Sequence, residues 1–424
     1  MNASTGMEQG DKRVSPAISF SVYALFFLFG GLTSLNDVLI PKLKGIFALS
    51  YGEAMLVQSA FFIGYLLVSI PAGFLAARLG YMRAAVIGLL AMAAGALLFW
   101  PAAELAVFPA FLGALFILAA GVTIVQVVAN PLISILGTPA TAHSRLTFAQ
   151  GFNSLGTTIF PYIGAILILG GAVAIDAGTL SPEVLAAERT KEAAIIGHSY
   201  IGLALVLTVM ALAVWAIRHR LADDRSPEAT NPLRSFDLMR RPRFAFGMAC
   251  IFLYVGAEVS IGSLLTSYLM QPGTMALSAE EAGKHLVYYW GGAMVGRFIG
   301  AAMLRLIPPG RMLAGVALGA LLLVTLSAQT GGDLSGWALL AVGLCNAIMF
   351  PTIFALASEG LGTRAPEGSG LICVAIVGGA VLPPLTGHVA DIAGLATALA
   401  VPAAAYAGIA TYGFYARRPV SAVG

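Results

Sequence analysis

Apolar residues run along this chain in blocks of about 20 or more, the length a helix needs to cross a bilayer. Twelve such blocks are read, at residues 17–41, 54–76, 84–103, 107–136, 146–172, 197–217, 244–270, 286–306, 311–328, 335–358, 368–391 and 395–416. Ala, Leu and Gly dominate them, and they do not alternate apolar with polar positions as the roughly ten-residue strands of a membrane barrel do. Helices satisfy their own backbone in lipid, so the expected fold class is all-α integral membrane with twelve transmembrane helices.

Between the blocks, charge is distributed by side. With the N-terminus in the cytoplasm, the inner segments hold Lys12, Arg13, Arg78, Arg83, Arg145, the run from Arg218 to Arg243, Arg305, Arg311, Arg364, Arg417 and Arg418. The outer ones hold Lys42, Lys44, Arg189, Lys191 and Lys284, so positive-inside bias predicts a multi-pass protein of the cell's inner (plasma) membrane with both termini cytoplasmic. Composition agrees, with 59% hydrophobic and 10% charged residues, and the net charge of +3 expresses the bias rather than a nucleic-acid surface. The first span is too long for a cleaved signal peptide and is expected to be kept. Cys250, Cys345 and Cys373 all fall in spans, without disulfide or metal spacing.

The one long inner segment organises the chain. Residues 218–243 carry seven arginines with Pro227, Pro232 and Pro242, which reads as a linker between six spans and six spans. The expected organisation is a cytoplasmic tail at 1–16, an N-terminal bundle at 17–217, a cytoplasmic linker at 218–243, a C-terminal bundle at 244–416 and a second tail at 417–424. The halves also repeat. Asp37 maps to Glu258 at an offset of 221, Gly73 and Arg78 to Gly300 and Arg305 at 227, Pro131 to Pro351 at 220, and Gly156 and Pro161 to Gly378 and Pro383 at 222. Near-equal offsets in one helix order predict two pseudo-symmetric six-helix bundles with a site between them near the midplane.

Asp37 and Glu258 are the main candidate chemistry. They open Asp-Val-Leu-Ile-Pro-Lys-Leu and Glu-Val-Ser-Ile-Gly-Ser-Leu, matching frames in apolar stretches. A carboxyl group inside a span costs about 2.5–3.5 kcal/mol on insertion scales, which points to an interior cavity. For Asp37 a pairing with Lys42 or Lys44 is the structural alternative, whereas no base lies near Glu258 in its own span.

The stretch Gly73-Phe-Leu-Ala-Ala-Arg78-Leu-Gly80-Tyr-Met-Arg83 resembles the inner-loop motif of the major facilitator superfamily, with Ala77 where that motif usually has an acid. Further runs are similar to the fucose/glucose/galactose permease family: Leu35-Asn36-Asp37, Gln58-Ser59-Ala60-Phe61-Phe62-Ile63-Gly64-Tyr65, Ala129-Asn130-Pro131, Gln150-Gly151-Phe152-Asn153, Tyr254-Val255-Gly256-Ala257-Glu258, Met349-Phe350-Pro351-Thr352 and Gly378-Gly379-Ala380-Val381-Leu382-Pro383-Pro384. The resemblance covers residues 17 to 416. It implies the major facilitator fold, an essential carboxylate at Asp37 and sugar contacts at Gln150 and Asn153. Fucose carriers have a glutamate in the fourth helix where this chain has Gln126, and a glutamine in the seventh where it has Glu258; that exchange resembles the glucose/galactose branch.

The residues support a sugar reading on their own terms. Burying a hexose requires convergent amides, carboxylates and aromatic rims. Gln126 and Asn130 share a helix face, as do Gln150 and Asn153, and Asn346 is the approximate repeat mate of Gln126. With Asn36, Tyr65 and Trp290 these complete the expected substrate contacts, although amides also serve as glue between membrane helices and Trp290 fits an interfacial belt. Arg78, Arg297 and Glu359 are expected to gate, Arg297 by pairing with Glu359 or Glu367 at the inner end. The expected function is a secondary active transporter importing a monosaccharide of the glucose/galactose type, with fucose also open, by alternating access. H+ is the preferred coupled ion, and Na+ ligated at Asp37 with nearby Thr33, Ser34, Ser260 or Thr123 is the other. A passive facilitator or channel and an intramembrane enzyme are the alternatives. No nucleotide-binding loop or paired metal ligands are present in the sequence, and the chain is expected to act as a monomer in the lipid bilayer, not as an enzyme, with no cofactor and no nucleic-acid partner.

Overall fold

A computed structural model describes residues 16–136, 142–170, 181–221, 232–361 and 365–417. In the first half, α1 is Pro16–Phe47, α2 is Leu56–Leu79 behind a short turn of helix at Tyr51–Ala54, α3 is Tyr81–Leu105, α4 is Phe108–Ile135, α5 is Ala142–Gly164 with a π-helical turn at Ala165–Leu169, and α6 is Pro182–Ile217. In the second half, α7 is Pro242–Leu269, α8 is Ala279–Met303 and α9 is Pro309–Gln329. The last three are interrupted: α10 is Gly332–Asn346 and Met349–Ser358, α11 is Ala365–Val374 and Gly378–Ala393 about a 3₁₀ turn at Ala375–Val377, and α12 is Leu395–Ala398 and Ala400–Tyr415. This is the all-helical, two-bundle membrane architecture expected. Among the described residues, eleven helical segments are long and apolar enough to span a bilayer. The twelfth, α8, falls short in hydropathy because its apolar stretch carries Arg297, Tyr288, Tyr289, Trp290 and several glycines, and it packs against α5 and α10.

Two of the three interruptions coincide with prolines. A helical proline gives no N–H to the carbonyl four residues earlier. Pro351 and Pro402 therefore leave the Ala347 and Ala398 carbonyls unbonded, and α10 and α12 break at those places. Pro384 does the same to Ala380 inside α11, where the helix continues and Ser59 Oγ on α2 donates to the Ala380 carbonyl at 2.7 Å.

The largest boundary difference from the sequence pattern is in the sixth block. The block read at 197–217 extends back to Pro182, so Arg189 and Lys191 lie on a helix and not in a loop. Its first turns are rich in Glu, Ala and Lys, good helix formers that a hydropathy window passes over. Glu192 enters the packed region because Lys42 on α1 meets it at 2.5 Å, with both side chains under a tenth exposed.

Glycines set the closest approaches. A Cβ at Gly156 on α5 would lie 2.1 Å from the Phe27 carbonyl oxygen on α1, and one at Gly378 on α11 would lie 1.9 Å from that of Phe252 on α7. These two glycines are repeat mates, so in each half the fifth helix rides backbone against backbone on the first.

The halves meet at one end of the bundle, named here for Lys42, and part toward the other, named for Arg78. At the Lys42 end, the Asp391 carboxylate accepts from the backbone N–H groups of Tyr51 at 2.6 Å and Gly52 at 2.8 Å. Gly387, one turn earlier on α11, makes room, since a Cβ there would sit 2.6 Å from the Tyr51 oxygen. Gly283 packs on Ala165 and Leu169, and Gly379 on the Phe62 ring. Among the described residues, no hydrogen bond between the halves lies nearer the Arg78 end than the one from Arg297 Nη1 to Ser154 Oγ.

Gly378→Ala is expected to lower stability by about 1–3 kcal/mol through overpacking. The check is the thermal unfolding midpoint in detergent, with Gly113→Ala, which meets no atom within 4 Å, expected to match the native protein. Glu192→Gln strands the Lys42 ammonium and is expected to cost about 3–5 kcal/mol, most of it recovered in a Lys42→Met/Glu192→Leu double variant measured the same way.

Candidate functional site

Asp37 lies mid-helix on α1 and is 2% exposed. Its Oδ1 accepts from Gln58 Nε2 on α2 at 3.2 Å and from Ser263 Oγ on α7 at 3.2 Å, and its Oδ2 accepts from Trp290 Nε1 on α8 at 3.1 Å. Gln58 Nε2 also reaches Ser263 Oγ at 2.8 Å, and Gln58 Oε1 accepts from Asn36 Nδ2 at 3.4 Å. The carboxylate of the first half is thus held by donors from both halves. Gly262 leaves the space, for a Cβ there would lie 3.2 Å from the Trp290 ring and 3.3 Å from Asp37 Oδ2. Neither lysine considered as a partner reaches it: Lys42 is taken by Glu192, and Lys44 Nζ sits 4.2 Å above the Tyr51 ring.

Glu258, its repeat mate, is half-buried and organised from within the second half. Tyr254 OH, one turn earlier on α7, lies 2.8 Å from Glu258 Oε1 and 3.1 Å from the Asn346 carbonyl at the break in α10. Tyr289 OH donates to the Glu258 backbone carbonyl at 3.0 Å and accepts from Asn346 Nδ2 at 2.9 Å, while Tyr406 OH donates to Asn346 Oδ1 at 2.8 Å. Arg297 lies within electrostatic reach of Glu258 and bonds Ser154 across the junction.

The other predicted residues divide. Gln126 accepts from Tyr65 OH at 2.8 Å, which ties α4 to α2, and Asn130 is half-buried one turn further along α4. Gln150 and Asn153 are half-buried on α5, and Asn153 Nδ2 donates to the Phe26 carbonyl at 3.4 Å across from Gly30. Asn36 and Asn346, expected to touch a ligand, are fully buried: Asn36 Nδ2 donates to Gln58 while its Oδ1 has no partner among the described residues, and both ends of the Asn346 amide meet tyrosines. Trp290, read as a rim or belt aromatic, points its indole N–H at Asp37.

The gating pair also differs from expectation. Arg297 does not meet Glu359, which is paired with Arg243 at the start of α7; the Glu367 side chain lies outside the described residues. The reason is placement: Arg297 lies two turns short of the end of α8, while Glu359 lies past the end of α10 beside the α7 start. Arg78 is exposed in the last turn of α2, in a cleft shared with Pro71, Phe74 and Leu75.

Sequence reading missed Gln58, Ser154, Tyr254, Ser263 and Tyr406 as site residues. A signal existed for Ser263, which stands at the same offset of 221 from Lys42 as Glu258 does from Asp37. The tyrosines gave none, because an aromatic in a span reads equally as packing.

The family model described as Major Facilitator Superfamily matches residues 22–384. A glucose/galactose transporter of Brucella abortus biovar 1 (strain 9-941) is 46% identical over 93% of this chain and 92% of its own length. The L-fucose-proton symporter of Escherichia coli (strain K12) is 35% identical over 91% and 89%. Among solved structures, that of FucP, a Major Facilitator Superfamily transporter in the outward conformation, is similar with a TM-score of 0.69 at 32% identity, covering 95% of this chain and 99% of that one. With two six-helix bundles meeting around a buried acid and full-length relatives of the same architecture, this chain belongs to the Major Facilitator Superfamily.

Proposed function

We propose that the protein carries a monosaccharide of the glucose/galactose type into the cell together with H+, rocking its two bundles about the Asp37 and Glu258 region. The observation that carries this reading is Asp37: a buried carboxylate without a basic partner, whose donors belong to both halves, so that its charge and the closure of the junction are physically linked. The names of the relatives, glucose/galactose transporter and L-fucose-proton symporter, support the substrate class and the ion. So does the donor set, because a cation placed at Asp37 would face the N–H groups of Trp290 and Gln58 where it needs oxygens.

Placing the arginine-rich Arg78 end in the cytoplasm makes the sealed Lys42 end the outer gate, with both termini inside and the space between the halves facing inward. Gln126, Gln150 and Asn153 supply amides to sugar hydroxyls, and Asn130, Tyr65 and Trp290 border them. Asn36 and Asn346 act one step back, by orienting Gln58 and the tyrosines around Glu258. Glu258 is the second coupling acid, with Arg297 as its neighbouring positive charge. Arg243 with Glu359 braces the inner ends of α7 and α10, and Arg78 lies at the inner mouth of the first half. One chain holds both bundles and both acids, so the reading requires no second copy.

In proteoliposomes, Asp37→Asn is expected to lose accumulation driven by an imposed pH gradient while keeping counterflow exchange of sugar. Accumulation at the native level by that variant, or native accumulation driven by Na+ at fixed pH, would overturn the proton assignment. Uptake that never exceeds equilibrium in the native protein would make it a passive facilitator. For the pocket, alanine at Gln126, Gln150 or Asn153 is expected to weaken apparent affinity by about 1–3 kcal/mol, roughly 5- to 150-fold. An unchanged affinity in the triple variant would move the sugar elsewhere.

A further inference from the structure

The neighbours of Asp37 are not chemically alike. Trp290 Nε1 and Gln58 Nε2 can only donate, which suits a carboxylate and not an acid that has its own hydrogen to place. Ser263 is a hydroxyl, a donor with two lone pairs, and it already plays both parts by giving to Asp37 Oδ1 at 3.2 Å and accepting from Gln58 Nε2 at 2.8 Å. It is wholly buried on the far side of the junction between the halves.

We propose that Ser263 is a positioning residue that lets the closed junction hold Asp37 in either protonation state. With the carboxylate, its O–H donates to Oδ1. When a proton arrives on Oδ1, the Ser263 hydroxyl turns, accepts that hydrogen through a lone pair, and gives its own to the Val259 carbonyl one turn back along α7, the bond serine makes within helices. The proton remains on Asp37 and no covalent bond of Ser263 is broken. Without the hydroxyl each protonation state loses its bond to Ser263, and the carboxylate loses the stronger of the two. The inference rests on the coupling role proposed for Asp37.

The charged groups around the junction leave this task to Ser263. Glu258 on α7 is turned to Tyr254, Lys42 on α1 is engaged by Glu192 on α6, and Arg297 on α8 is bonded to Ser154 on α5. The remaining polar groups are neutral: Gln58 on α2 touches Asp37, and Asn36 on α1 bonds Gln58 from behind.

Two pH titrations test this: sugar counterflow in proteoliposomes, and Trp290 fluorescence of the purified protein without sugar, isolated by subtracting a Trp290→Phe variant. Ser263→Ala is expected to move both midpoints to higher pH by about half to one unit, because the anion loses a charge-assisted bond about twice as strong as the neutral bond the acid loses. Ser263→Thr, which keeps the hydroxyl, is expected to retain the native midpoints. Should alanine fail to purify, Ser263→Cys, of similar shape with weak hydrogen bonding, takes its place with the same expected shift. Unmoved midpoints, a rate lowered equally at every pH, or a shift shared by the threonine variant would each overturn the inference. Native accumulation by Asp37→Asn would sink the coupling reading instead, and the fluorescence arm, which needs no transport, would still decide Ser263.

Discussion

A carboxylate stays in the interior of a membrane protein only where donors replace the water it gave up. For Asp37 those donors sit on α2, α7 and α8, so the cost of its burial is met only while the two bundles touch. The rest of the closed end serves that contact. Gly262 and Gly387 remove side chains that would hold the helices apart, and Asp391 fixes the start of the second helical segment from the opposite half. When the bundles part there, Asp37 exchanges Ser263 and Trp290 for solvent, and a different balance of charge and hydrogen bonding takes over.

The internal repeat gives the halves equivalent frames but not equivalent roles. Asp37 lies at the junction with partners from both bundles, whereas Glu258 is set into its own bundle by Tyr254, Tyr289 and the Asn346 amide. The positions five residues on diverge as well: Lys42 turns into the first half to meet Glu192, and Ser263 crosses to Asp37. Duplication supplied a symmetric scaffold, and later divergence made one acid a contact between moving parts and the other a fixed feature of one part.

Much of this was legible because membrane burial leaves few choices. Spans, the repeat and the two acids follow from apolar length and from the penalty on a stranded charge. What escaped was contact between helices. An offset says that Asn346 corresponds to Gln126, yet Asn346 is fully buried and tyrosines of α8 and α12 meet both ends of its amide. Arg297 and Glu359 looked like partners by rough depth, but Arg243 lies closer to the acid along the α7 end. The helical reach of α6 escaped for a related reason, since Glu192 is tolerated only through a lysine more than a hundred residues away in sequence.

The bond from Ser59 to the Ala380 carbonyl carries a consequence for motion. Pro384 withholds the amide that carbonyl would normally use, and its replacement belongs to the other bundle. Separating the halves therefore exposes a vacant acceptor in the middle of α11, one that lipid cannot satisfy and a water molecule can. The proline does more than bend its helix: it makes hydration of the cleft part of the opening step, so the barrier to that step should respond to water activity and not only to the sugar or the ion.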